Sequence, residues 1–133
     1  MNTATELKKI LVVDDEADVR TYLSRLFEQN GYACTLACDG ADALAQVQAG
    51  KPNLITLDMS MPNKSGVKFY RELRADPDLA DIPVVVVTGV IGQGGASDTK
   101  RFLESRKQVP PPNAFIPKPV DRDELLAAVA RLI

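Results

Sequence analysis

Asn53-Leu54-Ile55-Thr56-Leu57-Asp58 follows Lys51-Pro52 and precedes Met59-Ser60-Met61-Pro62. The apolar run predicts a buried strand over residues 53–57, with Asp58 at its C-terminal end. A carboxylate where a buried strand meets a loop is poorly solvated, so another group must compensate its charge. That requirement directs attention to the ends of the other apolar runs.

Ile10-Leu11-Val12-Val13 is continuous and apolar, the pattern of a strand covered on both faces in a parallel sheet, and Asp14-Asp15-Glu16 stops it. Val19, Leu23, Leu26 and Phe27 then recur at helical spacing between Glu16 and Asn30, and Gly31 can close that helix in the left-handed conformation. Tyr32 to Ala37 predicts the second strand. After the Asp39-Gly40 turn, Ala43, Leu44 and Val47 mark a short helix that Gly50 ends.

Beyond Asp58, Ser65 is a plausible N-cap for a helix presenting Val67, Tyr70 and Leu73, and Asp76-Pro77 terminates it. Ile82-Pro83-Val84-Val85-Val86-Val87 is the most β-branched stretch and predicts a central strand ending at Thr88-Gly89. Ser97-Asp98 is a possible cap for a helix carrying Phe102 and Leu103. Pro110-Pro111-Pro112 enforces an extended connector. Ala114-Phe115-Ile116 predicts the last strand, closed by Pro117-Lys118-Pro119. Asp121 with Glu124 forms a capping-box pattern for a final helix with the stripe Leu125, Val129 and Leu132. Strand and helix alternate five times, which predicts an α/β fold with a five-stranded parallel sheet and helices on both faces.

At 133 residues and 45% apolar content, one domain is expected. Residues 1–7 read as a polar tail and 8–133 as the domain. Sixteen basic against 18 acidic residues give a net charge of −2, so nothing favours direct binding of nucleic acid or an anionic membrane. Without an apolar signal segment or a bilayer-length run, a soluble cytoplasmic protein is expected. Cys34 and Cys38 read as two buried free thiols, not a zinc pair. Histidine is absent, which removes histidine general bases, His-containing triads and His-ligated metals. Any phosphohistidine chemistry would need a partner's histidine.

In an open parallel sheet the functional crevice lies beyond the carboxyl ends of the strands. Asp14, Asp15, Asp58, Thr88 and Lys118 all fall there. Two carboxylates about 5 Å apart repel by roughly 3 kcal/mol at an effective dielectric near 20. Lys118 can offset one charge, and a divalent cation can offset more. All-oxygen ligands with room for water suit Mg²⁺ better than zinc or copper.

Asp14-Asp15, Asp58 with Met61-Pro62, Thr88-Gly89 and Lys118-Pro119, in that order and each at a strand end, resemble the receiver domain of two-component response regulators. The resemblance spans about Lys8 to Ile133. It implies a flavodoxin-like three-layer sandwich with strand order 2-1-3-4-5 and five helices, the order for which the chemotaxis receiver is a known example. It implies that Asp58 accepts a phosphoryl group from phosphohistidine on a partner kinase or phosphotransfer protein. Asp14, Asp15, Asp58 and the backbone carbonyl of Ser60 would hold Mg²⁺, while Lys118 would neutralise phosphoryl charge. Thr88 would hydrogen-bond a phosphoryl oxygen, and Phe115 would be the aromatic switch residue that controls a downstream protein or output domain. The resemblance also makes Lys118-Pro119 a candidate cis peptide. The stretch between Thr88 and Lys118 is longer than is usual in the family, and Pro117 and Val120 are less usual neighbours of Lys118-Pro119.

Singly, these residues have plainer readings. Asp15 could cap the first helix, Asp58 could be a loop carboxylate, Lys118 a surface lysine and Phe115 a core residue. Two other functions compete. A phosphohydrolase using an aspartyl phosphate usually carries an acid–base aspartate two residues after the nucleophile, where this chain has Ser60. A flavodoxin-like cofactor carrier would place a cofactor phosphate against an acidic crevice. Gly92-Gln93-Gly94-Gly95 lacks the Gly-Lys-Ser/Thr ending of a nucleotide loop. The expectation is a phosphoacceptor switch, not a turnover enzyme.

Overall fold

A computed structural model describes residues 7–59, 61, 65–88 and 112–133. Five strands form one parallel sheet in the order β2-β1-β3-β4-β5. They are β1 (Lys9–Val13), β2 (Ala33–Ala37), β3 (Leu54–Leu57), β4 (Val84–Thr88) and β5 (Ala114–Pro117). Among the described residues the helices are α1 (Ala17–Gln29), α2 (Gly40–Ala49), α3 (Ser65–Ala75) and α4 (Arg122–Leu132). The helix expected around Phe102 and the glycine stretch at 92–95 lie outside the described residues. So do Pro110 and Pro111.

Alternation along each strand builds two cores. Leu11, Val13, Ile55, Leu57, Val84 and Val86 meet Ala43 and Val47 of α2 and Phe69, Tyr70 and Leu73 of α3 on one face. Ile10, Val12, Leu54, Val85 and Val87 meet Leu23, Leu26 and Phe27 of α1 and Leu125, Ala128 and Val129 of α4 on the other. The central strands are therefore covered on both faces, which explains their largely apolar runs.

Several helix ends follow the sequence closely. Gly31 adopts φ +91° beyond α1, a conformation that costs glycine little. Asp39 and Asp121 cap α2 and α4 by accepting hydrogen bonds from the backbone N–H groups of Asp42 (2.8 Å) and Glu124 (2.9 Å). Ser65, expected as a cap, is instead the first residue of α3. Asp15 is not the cap of α1, because Glu16 holds that position.

The cysteine expectation needs correction, for Cys34 is only half-buried and Cys38 is exposed. Both lie on or just beyond β2, an edge strand with one lateral neighbour, so the sheet cannot enclose them. Burial, with a smaller contribution from Glu28, nevertheless pushes the Cys34 thiol up to about 12. Among the described residues no helix is long and apolar enough to cross a membrane.

Candidate functional site

Register positions the site. Val13 of β1 pairs with Leu57 of β3, so Asp14 and Asp58 leave adjacent parallel strands one residue beyond the same rung. The ladder continues through this point, with the Asp58 N–H donating to the Val13 carbonyl at 3.0 Å and the Asp14 N–H to the Ala37 carbonyl at 3.1 Å. At the other side of the sheet, Thr88 of β4 pairs with Pro117 of β5 and brings Lys118 to the same edge. The Lys118-Pro119 peptide is cis, as the resemblance implies.

Two carboxylates are almost fully enclosed there. Asp14 is 1% exposed and Asp58 2% exposed. The Lys118 ammonium lies 2.9 Å from Asp14 Oδ2 and 3.5 Å from Asp58 Oδ2. Asp14 Oδ1 also accepts a hydrogen bond from the Glu16 backbone N–H at 2.9 Å. Burial alone would lower the Lys118 pKa. The hydrogen bond to Asp14 and the charges of Asp58, Asp14 and Glu16 outweigh it and raise the pKa above its ordinary value. Lys118 is thus held as an ammonium, a fixed cation facing whatever enters the crevice.

Three further residues belong to the site. Glu16 brings Oε1 to 3.6 Å from the Lys118 ammonium. Arg20, one turn into α1, donates from Nη1 to the Asp14 carbonyl at 2.7 Å and ties the helix to the end of β1. Gly66 permits α3 to start against the Asp58 backbone: a Cβ there would stand 2.5 Å from the Asp58 carbonyl oxygen. The sequence carried a signal for Glu16, which directly follows the paired aspartates, and a weaker one for Gly66 in the first turn of a helix. Arg20 had none beyond its place on α1.

The donor set fits a hard divalent cation. Asp14, Asp15 and Glu16 each offer a carboxylate oxygen, and these atoms lie within 4.8 Å of one another. Oxygen donors around one buried and two exposed carboxylates leave room for water, which Mg²⁺ retains. Ser60, whose carbonyl was expected to join this set, lies outside the described residues. Phe115 is half-buried and packs against the core between the sheet and α2 and α3, and its neighbour in register is Val86.

The model of the response regulator receiver domain matches residues 10–130. The chain belongs to that family. A receiver of this kind is the phosphoacceptor domain of two-component signalling. The domain is 36% identical over 125 residues to Protein Rrf1 of Nitratidesulfovibrio vulgaris, a match covering 94% of this chain and 82% of Rrf1. It is 34% identical to Response regulator MprA of Mycobacterium tuberculosis over 125 residues, where the match covers 94% of this chain but only 50% of MprA. In three dimensions it resembles the chemotaxis response regulator CheY4 of Vibrio cholerae, with a TM-score of 0.81 at 25% identity over 96% of this receiver and all of CheY4. The flavodoxin-like architecture with strand order 2-1-3-4-5 is therefore shared with known receivers.

Proposed function

We propose that Asp58 is the phosphoacceptor of this receiver. The observation that carries the reading is a nearly inaccessible carboxylate, 2% exposed, at the end of a central strand and 3.5 Å from a lysine held in its charged form. An Asp58 oxygen attacks the phosphorus of a phosphohistidine on a partner kinase or phosphotransfer protein. The P–N bond breaks, the imidazole leaves with the electron pair and takes up one proton, and Asp58 becomes an acyl phosphate. Lys118 faces the added charge, and little else is required of the protein because phosphoryl transfer is catalysed mainly by positioning and electrostatics.

Asp14, Asp15 and Asp58, with the carbonyl of Ser60, are the residues that would hold Mg²⁺. When bound, the ion would withdraw charge from the phosphoryl oxygens. Thr88 would bond a phosphoryl oxygen, and Phe115 would report that contact from the neighbouring strand to a downstream protein or output domain. The chain is a stoichiometric acceptor, with gain and loss of its own phosphoryl group as its only chemistry. The test is borohydride trapping after incubation with acetyl phosphate and Mg²⁺. Reduction of an acyl phosphate converts the aspartate to homoserine, so peptide mapping should find homoserine at position 58. Homoserine at another aspartate, or none in a protein shown to be folded, overturns the assignment.

A further inference from the structure

Asp14, Asp15 and Glu16 alone separate β1 from α1, and Asp14 is bonded through its backbone and its side chain alike. Its N–H donates to the Ala37 carbonyl at 3.1 Å. Its carboxylate accepts from Lys118 on Oδ2 and from the Glu16 N–H on Oδ1, each at 2.9 Å. Its carbonyl accepts from the Arg20 guanidinium at 2.7 Å, a short charge-assisted bond. Arg20 reaches back to the strand end because side chains on a helix lean toward its N-terminus. A carbonyl this deeply placed would otherwise need another partner or carry the cost of lacking one.

Asp15 sits between two of these bonds. The Cα–Cβ direction of a residue is set by the peptide planes on either side of it, since each plane is rigid. The plane after Asp15 contains the Glu16 N–H, held by Asp14 Oδ1. The plane before it contains the Asp14 carbonyl, held by Arg20. Asp15 is itself exposed, so packing adds little to these two restraints. Mg²⁺ demands near-ideal octahedral geometry, and ligands already aimed at it bind with less ordering cost.

We propose that Arg20 is a positioning residue for metal binding, which acts through the Asp14 carbonyl to hold Asp15 in line with Asp14. This inference rests on Asp14 and Asp15 holding Mg²⁺ in this receiver. The charge of Arg20 works in the opposite direction, because a guanidinium beside the site repels a second cation. Position and charge therefore predict opposite signs when the guanidinium is removed. Loss of positioning weakens Mg²⁺ binding, whereas loss of charge alone tightens it.

The test is isothermal titration calorimetry of the full chain with MgCl₂ for wild type, Arg20→Met and Arg20→Lys, with thermal melts in EDTA alongside. Methionine keeps the aliphatic stem and is about as favourable in a helix as arginine, so Arg20→Met should fold. It should bind Mg²⁺ about tenfold more weakly than wild type, the lower end of what losing an outer hydrogen bond costs a metal site. Arg20→Lys restores a cationic donor and should stay within about threefold of wild type. With acetyl phosphate, Arg20→Met should take up the phosphoryl group slowly at low Mg²⁺ and within about twofold of the wild-type rate at saturating Mg²⁺. Saturation restores the rate because the Asp58 backbone is held separately, by its N–H on the Val13 carbonyl at 3.0 Å. Mg²⁺ affinity of Arg20→Met equal to wild type overturns the proposal, and a lower melting temperature in EDTA beside it would make Arg20 a structural tie alone. Tighter binding also overturns it and leaves Arg20 as a nearby charge. A folded wild type that binds no Mg²⁺ brings down the metal reading first, and this inference with it.

Discussion

Replacing Asp58 by asparagine should make the folded domain more stable when divalent cations are absent. Asp14 and Asp58 contact one ammonium at 2.9 and 3.5 Å, so the two oxygens lie within about 6 Å of each other. At an effective dielectric near 20, Asp58 gains roughly 5 kcal/mol from Lys118 and loses roughly 3 kcal/mol to Asp14. The balance of these two charges alone, about 2 kcal/mol, is smaller than the several kcal/mol that desolvating a buried carboxylate costs. An asparagine keeps the size and an acceptor oxygen while removing the charge. Its unfolding free energy should rise by about 1–3 kcal/mol, or about 4–10 °C in Tm for a domain of this size. Thermal melts in EDTA followed by circular dichroism check this. Added Mg²⁺ should then stabilise wild type more than Asp58→Asn, narrowing the gap. A variant that melts below wild type in EDTA would refute the argument and make Asp58 a structural carboxylate.

Four other expectations follow from single residues. Gly66→Ala drives a Cβ toward the Asp58 carbonyl, so it should cost about 1–3 kcal/mol in a urea titration and slow phosphoryl uptake; wild-type values in both would mean that α3 shifts freely. Thr56 is 1% exposed and its hydroxyl has no hydrogen-bond partner among the described residues, so Thr56→Val should be neutral or raise stability by up to about 1 kcal/mol in urea titration, whereas a clear loss would reveal a bonded hydroxyl. Exposed Cys38 should react with iodoacetamide well before Cys34, as read by peptide mapping. Because the folded-state pKa of Cys34 is raised, its share of stability is complete below the ordinary thiol value of 9.0 and is lost as pH climbs toward about 12; a Cys34→Ala variant with the same alkaline melting profile as wild type would contradict this.

The residues at the sheet edge were legible because buried parallel strands announce themselves as apolar runs, and the polar residue that ends each run marks the crevice. Asp14, Asp58, Thr88 and Lys118 could all be placed this way. The reach of Glu16 to Lys118 was not legible, since it depends on a distance set by packing across the whole sheet. The exposure of Cys38 depends on β2 being an edge strand, which the local pattern of Tyr32 to Ala37 does not reveal. Asp15 shows a third kind of limit. A carboxylate beside a helix start can cap it or hold a metal, and the position of Glu16 at the cap excludes the first of these. The need for glycine at position 66 arises from the close approach of α3 to the Asp58 backbone, a contact that helical periodicity does not encode.

Intact-mass measurement after incubation with acetyl phosphate and Mg²⁺ tests the central claim most directly. The account predicts the addition of one phosphoryl group to wild type, lost when EDTA replaces Mg²⁺ and absent from Asp58→Asn. No added mass on the folded wild type, or an added phosphoryl group that survives Asp58→Asn, would contradict it.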